Sequence, residues 1–482
     1  GKPFAVIETD GHSGDAGTRT RVEAFLHCVA EDRRQPCAGA VQNDFGSMQF
    51  SGVRLADLRG QGSPETLLVP YIGPASEAVA AVFRGLGLPA ESLPGPDAES
   101  LRLGRRYTSG KECLPMPLTL GSLLQRLQRA KTGERFAYLM PSTNGPCRFG
   151  VYNLLNNIIL ERLGWRDRVR IWSPKDSGYF DDLPGGTEML IFIGIVANDL
   201  LYQAQLDVRP VECVAGAAEK IYERYRAKLH ARLEAAARGN LALVPALWQI
   251  ATGNLFGVSA MLQRAGAEFA AVRGREELPL VELAGEIYVR AVEFSNDFLI
   301  GKLEARGLRV RLAPKREWID YCGYHQRHIH DRGQIGDDFS NLIRQRIEAF
   351  AFGSMSPYLR WTPPPRMEDV LAAASPYVSQ DLCGEAVLTV GAPLHEWRHG
   401  QKIDALINVG PLECMPSKIA EAQLQPIAER EGLLSLTLPL NGDPVNETAL
   451  DNFAYEVRAR FLRSKNGGHR DGGMKTARLQ KA

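Results

Sequence analysis

The sequence predicts an α/β protein with two parallel-sheet domains and a helical insertion. Three observations lead there. Short apolar runs alternate with helical patterns towards both ends of the chain. The stretch 187–275 carries long helical patterns and few strand signals. Three cysteines sit in Gly- and Pro-rich turns, and two of them follow an apolar run closely, where α/β proteins place their chemistry. At 482 residues the chain is too long for one compact core, so two to four domains are expected.

Taken in order, residues 4–9 read as a strand, 10–17 as a turn and 20–32 as a helix. Residues 33–62 are polar and Gly-rich, a loop or hairpin. A second strand at 67–71 is followed by an Ala/Val-rich helix at 75–86 and a strand at 136–140. Residues 147–163 form a helix, with Tyr152, Leu155, Ile158, Ile159 and Leu163 at helical spacing. A strand at 169–172 continues the sheet. In the insertion, Ile221, Tyr225 and Leu229 share one stripe. Strand 278–283, helix 296–306 and strand 308–312 make a βαβ unit. Strand 405–409, helix 416–431, strand 433–438 and helix 447–462 complete the second domain.

The expected organisation is therefore an N-terminal βα segment and loop at 1–59, a first Rossmann-like domain at 60–186, the helical insertion at 187–275, a second Rossmann-like domain at 276–462 and a disordered basic tail at 463–482. Segments 4–28 and 433–462 resemble each other: a strand, then Asp10-Gly11-His12 or Asn441-Gly442-Asp443, then a helix with a Phe and an Arg. The chain opens Gly-Lys-Pro-Phe, which suggests a fragment of a longer protein.

Composition narrows the partners. The net charge of +1 gives no global field towards nucleic acid or an acidic membrane, and neither is expected as a partner. No uninterrupted apolar run approaches the roughly 20 residues of a membrane span, and no signal-peptide pattern opens the chain. Eight cysteines are too sparse for a disulfide scaffold, so a reducing cytoplasm is expected.

The three turn cysteines are Cys113 in Gly110-Lys111-Glu112-Cys113-Leu114-Pro115, Cys147 in Gly145-Pro146-Cys147-Arg148-Phe149-Gly150, and Cys414 in Gly410-Pro411-Leu412-Glu413-Cys414-Met415-Pro416. If they converge in the cleft between the domains, three thiolates can hold a metal or an iron–sulfur cluster with one position open. Backbone N–H groups of Gly-rich turns and helix starts can bond cluster sulfides and offset their charge. Lys111 and Arg148 flank the thiolates. They are the candidate catalytic side chains, placed to tune cluster charge or to meet an anionic substrate, with solvated side chains as the plain alternative.

With Arg106-Tyr107-Thr108-Ser109 leading into the first motif, these blocks resemble the 2-hydroxyacyl-CoA dehydratase and benzoyl-CoA reductase group. They are most similar to the C-terminal part of large acyl-CoA dehydratase activase-related proteins. Glu8, Asp10, His12, Ser13, Asp15, Gly17, Thr20, Arg21 and Phe25 extend the match, which covers about residues 4–462. The resemblance implies a cluster, 4Fe–4S in type, held by three cysteines from separate loops. It implies an activase-type ATPase, in trans or as a missing N-terminal part, that supplies a low-potential electron. It also implies oxygen sensitivity and radical chemistry on a small molecule, for better-known members a CoA thioester. Cys113 and Cys147 lie 34 residues apart and Cys414 lies 267 further on, a spacing that suits the group. An electron-transfer or scaffold protein without its own substrate stays open. So does a double-cubane-cluster reductase, which needs more thiolates than the three matched motifs supply. A dimer is compatible with each reading.

Other candidates have plainer explanations. Cys28 and Cys213 lie in helical patterns, where a free cysteine is packing. Cys322, His325, His328 and His330 have zinc-like spacing, but no second ligand pair is evident, and a solvated aromatic helix accounts for them. Cys383 is a turn cysteine that could add a ligand. The loop 10–17 lacks the spacing of a phosphate-binding motif, so turn and cap roles fit it better.

Overall fold

Strands in this chain are short, and the central ones are buried on both faces. That pattern belongs to parallel sheets covered by helices. The structure, a computed structural model, describes residues 22–23, 25–27, 29–30, 65–143, 147–174, 184–239, 241–328, 335–382, 384–399, 403–412 and 414–465. The expected strand 4–9, the turn 10–17, the loop 33–62, Cys28, Cys383, His330 and the tail from 466 onward lie outside the described residues, as do the side chains of 326–328 and 335–338.

Two four-stranded sheets organise the protein, both fully parallel. The first contains β1 (Thr66–Val69), β2 (Ala90–Ser92), β3 (Phe136–Leu139) and β4 (Val169–Trp172), in the order β2-β1-β3-β4. The second contains β5 (Leu280–Gly285), β6 (Arg309–Leu312), β7 (Ala405–Pro411) and β8 (Ser435–Leu440), in the order β6-β5-β7-β8. Every residue of β3 and β7 is buried. In both sheets the strand order reverses next to the first strand, between β1 and β3 and between β5 and β7. Crevices at such switch points, outside the carboxyl ends of the strands, are where open α/β sheets bind ligands.

Helices fill the spaces between strands. In the first half they are α1 (Ser76–Gly85), α2 (Ala98–Tyr107), α3 (Pro115–Gln128) and α4 (Tyr152–Arg162). The stretch 187–275 is helical: α5 (Thr187–Val208), α6 (Ala217–Arg238), α7 (Leu243–Ala251) and α8 (Val258–Val272). The second half adds α9 (Ile287–Ala291) and α10 (Leu299–Glu304). Four further helices then lie between β6 and β7: α11 (Arg316–His328), α12 (Ile335–Leu359), α13 (Met367–Ala374) and α14 (Ala386–Arg398). Helices α15 (Met415–Glu431) and α16 (Glu447–Lys465) close the second half.

The segment Thr187–Val211 is long and apolar enough to cross a membrane, with a mean hydropathy of 1.4, but 78% of that window is buried inside the protein. Helix α5 packs on α1, α6, α8, α12 and β6. Its apolar residues face protein on most sides, which accounts for its hydropathy. One contiguous core runs from Leu67 and Phe83 through Leu201 and Phe269 to Val281 and Ile407, so the helical segment joins the two sheets.

A helical hairpin sets the first cysteine. Helices α2 and α3 cross at a mutual glycine contact: a Cβ on Gly104 would lie 1.7 Å from the Pro117 carbonyl oxygen, and one on Gly121 1.7 Å from that of Ser100. Asp97 caps α2 by accepting from Ser100 N at 2.7 Å. Pro115 occupies the first turn of α3, where its missing N–H costs nothing. Leu101, Leu114 and Leu118 of this hairpin pack against Tyr288 and Val292 of the second half. Arg105 donates to the Asn441 carbonyl across the same boundary.

Candidate functional site

Each of the three turn cysteines begins a helical element. Cys113 lies in the hairpin turn, just before α3. The Glu112 carboxylate closes that turn by accepting from Ser109 N at 3.0 Å, Ser109 Oγ at 2.9 Å and Lys111 N at 3.1 Å. Cys147 follows β3 and caps a 3-10 turn, Arg148–Val151, that leads into α4. Cys414 follows β7 and caps α15, with Lys418 N donating to its carbonyl at 3.0 Å. Sheet order and loop placement therefore bring Cys147 and Cys414 to equivalent positions in the two halves.

The three thiols share one neighbourhood. Cys113 acts electrostatically on Cys147, and Cys147 on Cys414. Glu286, directly after β5, acts on all three, and Glu385, at the start of α14, acts on Cys147 and Cys414. Cys113 and Cys414 are buried and Cys147 is half-buried, and none forms a disulfide. Cys113 Sγ lies 2.6 Å from the Tyr152 hydroxyl, which is itself buried.

Burial pushes the Cys113 thiol up to about 11 and that of Cys147 to about 12. Burial also raises Cys414, with Glu286 and Glu385 adding to the effect. The backbone N–H groups of Phe149 and Ser417 oppose this at Cys147 and Cys414 but do not outweigh burial. Thiols in this state are poor nucleophiles at neutral pH, since the thiolate is the reactive form. A metal ion reverses the balance by taking the proton's place on sulfur. The donor set thus fits a thiolate-bound cluster: three sulfurs, helix-start N–H groups at two of them, and little solvent. Among the described residues, no three His, Cys, Asp or Glu side chains close tightly enough to hold a single metal ion.

Two glutamates at the site were not singled out in the sequence. Glu286 accepts from Tyr288 N at 3.1 Å and Val289 N at 2.8 Å, capping α9. Glu385 Oε2 accepts from Ile287 N at 3.1 Å. Burial raises both carboxyls, Glu385 to about 8, and for Glu385 the proximity of Glu286 adds to it. Arg290 lies behind them, 2% exposed, donating to the Gly285 carbonyl at 2.9 Å and the Pro314 carbonyl at 3.2 Å. The sequence does offer one signal for Glu286: a Gly-Glu pair ending a buried strand and opening a helix, the same placement that marks Cys147 and Cys414.

Lys111 and Arg148 are both exposed. Arg148 donates to the Lys111 carbonyl and so clips the Cys113 turn to the Cys147 turn, while its charge favours the Cys113 thiolate. Cys213 is exposed, contrary to the packing expectation, because it lies in the turn before α6 and not within a helix. Cys322 and His325 lie on α11, where the His325 ring packs 5.8 Å from that of Tyr321. No protein-family model matches this sequence, and no curated protein matches it.

Proposed function

We propose that the protein is the iron–sulfur component of an ATP-dependent low-potential reductase or dehydratase system. In this reading Cys113, Cys147 and Cys414 hold a 4Fe–4S cluster, an activase-type ATPase supplies its electron, and the substrate is a small molecule such as a CoA thioester. The observation that carries the reading is the convergence of three thiols from both halves, two buried and one half-buried, with Cys147 and Cys414 beyond the carboxyl ends of β3 and β7. Such a cluster supplies one-electron reduction and, at an iron without a protein ligand, a place for a substrate oxygen. The chain's own residues then have separate tasks. Tyr152 holds Cys113 through its hydroxyl. Glu385, its Oε2 engaged by Ile287 N–H and its carboxyl raised to about 8 by burial, is the side chain available to give a proton to a leaving or newly reduced group. Arg148 keeps the two thiol-bearing turns of the first half together. Free thiols suit a reducing compartment, and a cytoplasmic location is part of this proposal.

The two glutamates also support a second reading. If Glu385 takes the fourth iron, the cluster is fully ligated and only relays charge. Anaerobic protein mixed with candidate activases, with cluster reduction followed by absorbance and electron paramagnetic resonance, separates the two. Reduction that depends on ATP hydrolysis supports the proposal. Full reduction by a mild donor without ATP supports the relay.

A further inference from the structure

A second polar region lies away from the cysteines. It is a cavity of about 1010 Å³ over one face of β5 and β6, walled by α5, α11, α12 and α14. That is the size of a small-molecule site. None of the three cysteines, nor Glu286 or Glu385, lines it. Its floor is unusual for a parallel sheet, where both faces are normally apolar. Here Glu282 of β5 and Arg309 and Arg311 of β6 face the cavity.

The outer charges are mixed, with cations in excess. Asp207 accepts from Arg273, Arg309 and, at 3.3 Å, the Trp361 indole N–H. The mouth carries the exposed charges Arg275, Glu276 and Arg360. The inner charges are not matched. Glu282 and Glu396 share the single cation Arg311. Glu348 pairs with Arg316 at 2.7 Å while facing Asp320, carboxyl towards carboxyl. Asp199 bonds Lys315 N at 3.0 Å and shares its field with that side chain. Glu317 lies in the field of Arg290, Arg316 and Arg311, opposed by Glu282, and Arg316 and Arg311 are already engaged.

Six inner carboxyls, those of Asp199, Glu282, Glu317, Asp320, Glu348 and Glu396, thus face three cations of the cavity wall, Arg311, Lys315 and Arg316, while Arg290 and Arg344 act on Glu317 and Asp320 from outside the lining. Two acceptors point the same way. Asn198, 1% exposed, lines the cavity with its side-chain oxygen unpartnered, and Glu348 Oε1 is unpartnered as well. A buried acceptor without a donor is costly unless a ligand or water supplies one. The carboxyls are spread along the wall, and no three of the described ones close around a single-ion position. Phe352 and Trp361, with ring centroids 6.2 Å apart, give the wall an aromatic side.

We infer that this cavity binds a small organic cation, a compound with one or more ammonium groups on a short apolar frame. The ammonium groups donate to Asn198 Oδ1 and to the inner carboxyls, and the frame lies against the aromatic side, where a cation gains further attraction. Burial raises Glu317 and Glu396 to about 7 and Asp320 to about 8, the direction expected where carboxylates outnumber their cations.

The test is isothermal titration of the full chain with putrescine, with magnesium chloride and inorganic pyrophosphate as separate arms. Saturable one-site binding of putrescine is expected. Glu317→Gln and Asn198→Ala should each weaken it about tenfold or more while preserving the unfolding transition. Glu268→Gln, on a partly exposed pair with Arg224, should leave it unchanged. No saturable binding of putrescine up to about 10 mM would overturn the inference. So would preferential binding of pyrophosphate, displacement of putrescine by equimolar magnesium, or unchanged affinity in both Glu317→Gln and Asn198→Ala. If Glu317→Gln fails to fold, Asn198→Ala alone decides.

Discussion

The two halves of the molecule follow one plan and contribute unequal chemistry. Each has four parallel strands in the same order, and each places one cysteine after its third strand at the start of a helix, Cys147 in the first half and Cys414 in the second. Beyond that they diverge. The first half adds a thiol, Cys113, on the α2–α3 hairpin. The second adds two carboxyls, Glu286 and Glu385, backed by Arg290. The strand plan supplies a scaffold for a site between the halves. The departures from the plan decide what the site can do: two thiols come from one side, and one thiol with a proton store comes from the other.

The largest expected effect breaks the comparison at its shared element. If both halves hold one cluster, Cys414→Ser should lower iron as far as Cys147→Ser does, from about four per chain to below about one. Iron would be measured after anaerobic reconstitution. Retention of iron in Cys414→Ser alone would confine the site to the first half.

The next effect separates hairpin from scaffold. Gly104→Ala forces a methyl group onto the Pro117 carbonyl and should cost about 1–3 kcal/mol or more. It should also lower iron content by displacing Cys113. Met415→Ala, beside Cys414 on an exposed position, should change stability by no more than about 0.5 kcal/mol. Chemical denaturation with parallel iron assays checks both, and equal costs would remove the hairpin's special role.

A smaller effect tests the carboxyl pair. The folded value of Glu385 lies above its ordinary 4.5, at about 8. The folded state therefore binds the extra proton. The stability tied to this group is full below about 4.5 and is lost as pH climbs through about 8. In the metal-free protein, Glu385→Gln should flatten the fall in unfolding midpoint across that window. A slope identical to wild type would place the carboxyl in an ordinary aqueous setting. The smallest effect belongs to Lys111→Ala, which should leave stability within about 0.5 kcal/mol, since the side chain is exposed.

What the sequence made legible follows the same division. Strands β1, β3, β5 and β7 could be read because they are mainly apolar runs, β5 and β7 broken only by Glu282 and Asn408, and the strand-poor stretch 187–275 because its periodicity is helical. The α2–α3 hairpin could not, because Leu114-Pro115-Met116-Pro117 looks like a breaker until Pro115 is seen in a first helical turn. The helices between β6 and β7 were hidden in part by Pro357 and Pro393, which lie inside α12 and α14. Strand β2 is only three residues long. Cys113, Cys147 and Cys414 stood out through their Gly/Pro surroundings. Glu286 and Glu385 did not, because a single glutamate is common and only the fold brings these two together, 99 residues apart in the chain.

The most direct test of the central claim is iron and acid-labile sulfide per chain in the anaerobically purified wild-type protein, with electron paramagnetic resonance of the reduced sample. The account predicts about four of each and the signal of a reduced 4Fe–4S cluster. Iron below about one per chain after reconstitution, with all three thiols still open to alkylation, would contradict it.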